Sequence, residues 1–96
     1  MATYREVQTP IREVRRMARR YSLKYGVPIR ISASAVEEVG EDTEAMYHYR
    51  YGRDGKVHGT IYLHPDLQYE SRAHVDSTLR HELAHMNVER KWEGRL

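Results

Sequence analysis

The sequence contains no cysteine and no phenylalanine, and it has no long run of apolar residues. Without cysteine, the protein can form neither a disulfide nor a thiolate metal site. No segment approaches the roughly 20 consecutive apolar residues that a membrane-spanning helix needs, and the N-terminal stretch has no apolar run of signal-peptide length. These absences predict a soluble, cytoplasmic protein that does not contact a membrane.

A chain of 96 residues is long enough for a single small domain, which we expect to span residues 1–96. The net charge is only +2, but the charged residues are unevenly distributed. Residues 11–25 carry five arginines and one lysine against a single glutamate, whereas residues 37–44 are acidic. The basic segment could be a solvated helix surface, or it could be a phosphate-binding stripe that contacts DNA.

Hydrophobic periodicity predicts a helix near each end of the chain. In residues 10–25 apolar side chains recur at three- and four-residue steps. The preceding Thr9 is a typical N-cap residue, and Pro10 is typical of the first turn of a helix. Gly26 and Pro28 should end this helix. A second helix is predicted over residues 71–92, with apolar residues on one side at helical spacing.

The segment between the helices alternates apolar and polar residues, which is typical of strands. Residues 27–33 are predicted as one strand and residues 34–43 as a loop that could contain a helical turn. Residues 45–64 are predicted as a β-hairpin with Asp54-Gly55 in its turn. The fold class is therefore α+β: an N-terminal helix, a small three-stranded sheet with a β-hairpin, and a C-terminal helix, with the helices packed on one sheet face.

The sequence His-Glu-Leu-Ala-His lies on the last helix, at residues 81–85. Histidines four residues apart stand one turn above each other on one helix face, so both imidazoles can bind one Zn²⁺ ion. Glu82 is rotated by about 100° from His81, where it could act as a base toward water activated by the ion. This pattern predicts a zinc metallopeptidase with His81 and His85 as metal ligands and Glu82 as the catalytic residue.

The segment TLRHELAHMNV resembles the active-site helix of zinc-dependent metallopeptidases of the zincin clan, in particular SprT-like domains and minigluzincins. The close resemblance covers residues 60–88, and it implies a peptide or protein substrate. It also implies that GTIYLHPDL is the sheet edge that leads into the active-site helix. Residues 58–63 would then bind an extended peptide by β-augmentation, unless they are only a hairpin strand. Since SprT-like proteins act on proteins crosslinked to DNA, the resemblance also favours DNA contact through the basic N-terminal helix.

The third metal ligand departs from the family pattern. Catalytic zinc usually has three protein ligands; gluzincins supply a glutamate from a later helix and SprT-like proteins a histidine followed by glycine. No histidine follows His85. Glu93 is the favoured third ligand if the helix ends near Arg90. The alternatives are Glu89, His64, His74 and a residue of a partner chain.

Two functions from different classes remain at this point. The first is zinc-dependent peptide-bond hydrolysis through water activated by Glu82. The alternative is a non-enzymatic, zincin-like metal-binding module that is associated with DNA.

Overall fold

The structure is a computed structural model that describes residues 5–40 and 43–93, so both ends of the predicted domain 1–96 lie outside the described residues. The order of elements is α1 (Ile11–Tyr25), β1 (Ile29–Ile31), α2 (Ala33–Glu37), β2 (Ala45–Tyr51), β3 (Val57–Leu63), a 3₁₀ helix (Pro65–Tyr69) and α3 (Arg72–Arg90). The predicted α+β class is confirmed: an N-terminal helix, a small three-stranded mixed sheet and a C-terminal helix.

The start of α1 differs from the prediction. Pro10, not Thr9, occupies the N-cap position, and no side chain caps the helix there. Thr9 is fully buried, and its hydroxyl donates a hydrogen bond of 2.7 Å to the carbonyl of Glu70. Thr9 therefore ties the chain to the residue before α3 instead of capping α1. The helix ends as predicted at Gly26, which has φ +65°, a conformation that glycine adopts without steric cost.

The strand predicted over residues 27–33 is shorter, because Pro28 has no N–H for the ladder and Ser32 caps α2. The Ser32 hydroxyl accepts a hydrogen bond from the N–H of Ala35, so the helical turn foreseen in the loop is present. The hairpin is confirmed: β2 pairs antiparallel with β3 along its whole length, from Ala45 opposite Leu63 to Tyr51 opposite Val57.

The strand order β1-β3-β2 corrects one prediction. Residues 61–63 are not at an edge, because β1 runs parallel to β3 and pairs Ile29–Ile31 with Ile61–Leu63. β3 is thus the central strand, and only its first half, residues 57–60, has no β1 partner among the described residues. The free edge next to α3 belongs to β2, the strand against which α3 chiefly packs.

A single hydrophobic core forms where α1 and α3 pack on one face of the sheet. Apolar side chains at alternate positions of β3 contribute Ile61 and Leu63, both fully buried. The helices and the 3₁₀ helix contribute the remaining large members, which are Val14, Met17, Leu67, Val75, Leu79, Leu83 and Met86. Within the described part of the chain, no helix has the length and apolar character needed to cross a membrane.

Candidate metal centre

The candidate site lies on α3, which runs without interruption from Arg72 to Arg90. The helix begins at Ser71, whose hydroxyl accepts a hydrogen bond of 3.1 Å from the N–H of His74, as an N-cap does. Its core side carries Val75, Leu79, Leu83 and Met86, all buried. Because these residues hold the rotation of α3 fixed, His81 and His85 lie together on a different, exposed face.

The two imidazoles converge. Their Nε2 atoms are 3.1 Å apart, and the ring centroids are separated by 4.7 Å with the planes nearly perpendicular. Two nitrogens bound to one tetrahedral zinc at 2.0–2.1 Å would be separated by about 3.3 Å. The observed separation therefore fits two ligands of one ion, and His81, Glu82 and His85 each offer a ligand atom within 4.8 Å of the others.

Glu82 lies between the histidine face and the core. Its side chain is buried, with a relative exposure of 8 %, although both neighbouring histidines are exposed. Burial raises the pKa of the Glu82 carboxyl, and the nearby His85 and His81 act in the opposite direction. A carboxyl that is partly removed from water binds a proton more readily than an exposed one.

A shallow cavity of about 350 Å³ adjoins the site, and its floor and walls come from α3 and the start of β2. His81 and Glu82 line it together with Ser77 and Thr78 on the helix. The opposite wall is formed by Glu44 and Ala45. The catalytic candidate Glu82 and one proposed ligand thus face a space large enough for a short stretch of polypeptide.

The structure does not bring Glu93 to this group. Its carboxylate instead accepts a hydrogen bond of 3.0 Å from the N–H of Val57, at the start of β3. Glu89 is engaged at the other end of β2, where it accepts a hydrogen bond of 3.1 Å from the hydroxyl of Tyr51. α3 ends at Arg90, as the assignment of Glu93 required, but the turn that follows directs Glu93 to β3. Glu89 lies eight residues beyond His81, about 12 Å further along the helix axis.

The two remaining histidine candidates also lie outside the group. The ring of His64 is held by Glu37 at 2.9 Å and accepts a hydrogen bond from the N–H of Asp66. His74 pairs with Glu44, with Nε2 2.5 Å from the carboxylate. Among the described residues, His81, Glu82 and His85 form the only cluster suited to a metal, so a third protein ligand would have to come from elsewhere.

Glu44 and the edge of β2 are parts of the site that the sequence did not indicate. Glu44 is separated from the histidine motif by 37 positions in the chain. It reaches the cavity only because the hairpin places β2, not β3, beside α3. The one available signal was the acidic segment before β2, which does not by itself specify a position in space.

The free edge of β2 presents unpaired backbone groups beside the site. The carbonyl of Glu44 bonds the N–H of His64, and the N–H of Gly52 bonds the carbonyl of Lys56. Bonded and non-bonded positions alternate in an antiparallel pair. The residues whose N–H and C=O groups point away from β3 are therefore Ala45, Tyr47, Tyr49 and Tyr51.

Comparison with protein-family models, with curated proteins and with solved structures finds no match to this chain.

Proposed function

We propose that this protein is a zinc-dependent endopeptidase. The observation that carries the proposal is the convergence of His81 and His85, with Nε2 atoms 3.1 Å apart, next to the buried carboxyl of Glu82. The resemblance of this helix to that of SprT-like domains and minigluzincins favours the same function. The cavity between α3 and β2 supplies the space that a substrate needs.

Each residue has a distinct role. His81 and His85 would hold the ion through their Nε2 atoms. A bound divalent ion would act as a Lewis acid toward a peptide carbonyl and would lower the pKa of water at the site. Glu82 takes a proton from the attacking water and later gives it to the leaving amine. The burial that raises the pKa of Glu82 makes its carboxylate a stronger base toward the attacking water.

The substrate would bind as an added strand. The outward N–H and C=O groups of Ala45 and Tyr47 lie at the end of β2 that borders the cavity. An extended peptide that pairs with them would run over the helix face carrying His81 and His85. We assign to β2 the role that was predicted for residues 58–63, because β1 already pairs with Ile61–Leu63.

The first prediction tests this function with three site variants and one control. We expect near-stoichiometric zinc in the wild type, measured by elemental analysis after dialysis, and loss of zinc in His81→Ala and His85→Ala. Glu82→Gln should retain zinc but lose hydrolysis of fluorogenic peptides by about 100-fold or more. The control is His58→Ala, which removes an exposed histidine that pairs with Asp54 outside the site.

Wild-type hydrolysis by the Glu82→Gln variant would contradict the proposed mechanism. Absence of zinc from the wild-type protein would contradict the metal site itself. Retention of both properties by His58→Ala is required, since otherwise the loss in the histidine variants would reflect damage to the fold.

A non-enzymatic, DNA-associated metal module is the second candidate function. The exposed face of α1 supports it, because four arginines on that face have no ion pair or hydrogen bond with any described residue: Arg12, Arg15, Arg19 and Arg20. By contrast, Arg16 pairs with Glu13 at 3.1 Å. Uncompensated cations along a helix would bind phosphate groups in a salt-dependent way.

A further inference from the structure

The face of α3 that carries the histidines continues past them as an apolar surface. Val88 lies three residues after His85 and seven after His81, which puts it on the same helix face. Its side chain is 52 % exposed, although it is aliphatic. Trp92 follows in the turn after α3 and is 51 % exposed.

Two tyrosines of β2 are also partly exposed near the C-terminal half of α3, where Tyr51 meets Glu89. Tyr49 and Tyr51 are 39 % and 36 % exposed, and their rings contact each other edge to face with centroids 6.1 Å apart. The hydroxyl of Tyr51 donates to the Glu89 carboxylate, which fixes the strand's aromatic residues to the C-terminal half of α3. We name these four exposed side chains, Tyr49, Tyr51, Val88 and Trp92, the apolar patch.

The opposite end of the same face is polar. Ser77 and Thr78 line the cavity there, together with Glu44, which pairs with His74. A peptide lying across the histidines would therefore meet charged and hydroxyl groups on one side and the apolar patch on the other. The substrate residues on one side of the scissile bond would therefore contact polar groups, and those on the other side would contact apolar groups.

The spacing of the apolar patch matches an extended chain. From the midpoint of His81 and His85 to Val88 the helix rises by about 7 Å, which corresponds to about two residues of a strand. Trp92 lies about 6 Å further along at the same rise, again about two residues. Since alternate side chains of a strand point to the same face, residues two and four positions from the scissile bond would both face the patch.

We propose that the apolar patch selects substrates, so that the preferred substrate is an extended peptide with apolar side chains two and four residues from the scissile bond, on one side only. This inference rests on the proposed peptidase function. Exposed apolar side chains beside a cleft are expected to bind apolar partners, because both surfaces then leave water.

The experiment compares fluorogenic octapeptides that are identical except for two alternate positions, occupied by leucine or by serine, on either side of the central bond. With zinc-loaded protein, we expect leucine on one side to raise kcat/KM by about 10-fold or more over serine. Val88→Ser should remove most of this preference by lowering kcat/KM for the leucine peptide toward the value for the serine peptide. Val7→Ser is the matched control, because Val7 is also 52 % exposed and lies outside the site.

Cleavage without a leucine preference, an equal preference on both sides, or the same effect in Val88→Ser and Val7→Ser would overturn the inference and leave the peptidase function standing. If no peptide is cleaved, the proposed function fails. Binding of the leucine peptide to the protein then tests separately whether the apolar patch binds apolar side chains. Trp92 is the only tryptophan of the chain, so its emission reports on the patch directly. A blue shift with the leucine peptide alone, lost in Val88→Ser, supports the patch as a binding surface; no shift overturns it.

Discussion

At the scale of single residues, Glu82 is a buried carboxyl in a position that is unfavourable for stability. Removing a carboxylate from water is unfavourable unless it is paired, and burial accordingly raises the pKa of Glu82. Glu82 lies on α3 next to the buried side of the helix, which carries Leu79, Leu83 and Met86. A carboxylate would be better tolerated on the exposed face of α3, so the burial of Glu82 does not by itself stabilise the fold.

The hydrogen-bonded pair of His74 and Glu44 makes a pH-dependent contribution to the stability of the fold. The hydrogen bond to Glu44 raises the pKa of His74. The pair stabilises the fold fully below the unfolded-state pKa of about 6.5, and this stabilisation disappears as the pH rises through the higher folded-state pKa. We expect His74→Gln to lower the Tm at pH 6 by about 1 to 4 °C, the range for an exposed pair, and to change it less at pH 9.

Calorimetry at both pH values measures this difference. Glu44→Gln is the matched control, since it removes the other partner and should lose the same pH-dependent contribution. At pH 6 the double variant should then have the same Tm as either single variant. A drop in Tm that is equal at pH 6 and pH 9 would show that His74 contributes through packing alone.

At the scale of elements, the contact between Tyr47 of β2 and Gly59 of β3 determines how β2 packs beside α3. The ring of Tyr47 lies across Gly59 on the helix-facing side of the sheet, so closely that a Cβ atom on Gly59 would lie 2.5 Å from the tyrosine hydroxyl. Tyr47 also packs against the core. The glycine therefore allows the aromatic side chain to fold inward beside α3.

Gly59→Ala should destabilise the protein by about 1 to 3 kcal/mol, because the added methyl group forces the Tyr47 ring out of its place. Urea denaturation measures the change. In a Tyr47→Ala background the same substitution should be nearly neutral, since the clashing ring is gone and alanine has the higher strand propensity. An equal loss in both backgrounds would mean that backbone conformation at Gly59, and not the ring, requires glycine.

At the scale of the whole molecule, the basic and the apolar surfaces lie on different elements. The unpaired arginines follow the outer face of α1, whereas the candidate site and the apolar patch lie along α3 and β2. A nucleic acid bound to α1 would therefore leave the peptide cleft accessible. Peptide hydrolysis and DNA binding are therefore compatible with one molecule, and each can be tested without disturbing the other.

Arg15→Gln combined with Arg19→Gln should weaken DNA binding and lower the slope of log K against log salt concentration by about 2. Fluorescence anisotropy with a labelled duplex measures the slope. Arg53→Gln combined with Lys56→Gln is the control, because it removes the same charge from the exposed β2–β3 connection. If both double variants lose DNA affinity equally, DNA is attracted by the net charge of the protein and α1 carries no DNA-binding site.

The sequence by itself determined the elements and the histidine geometry. The periodicity of α1 and α3 and the alternation in the hairpin are local patterns, and they gave the correct fold class. The spacing of His81 and His85 on one helix determines that they share a face, whatever else the chain does.

Only the tertiary structure decided what stands opposite those histidines. The strand order, with β3 in the centre, depends on which strands pair, and pairing partners far apart in the chain leave no local signal. That order placed Glu44 and the free edge of β2 beside α3. Glu89 lies away from the histidines because each later residue of α3 is about 1.5 Å further along the helix axis, and the turn after Arg90 directs Glu93 to the N–H of Val57.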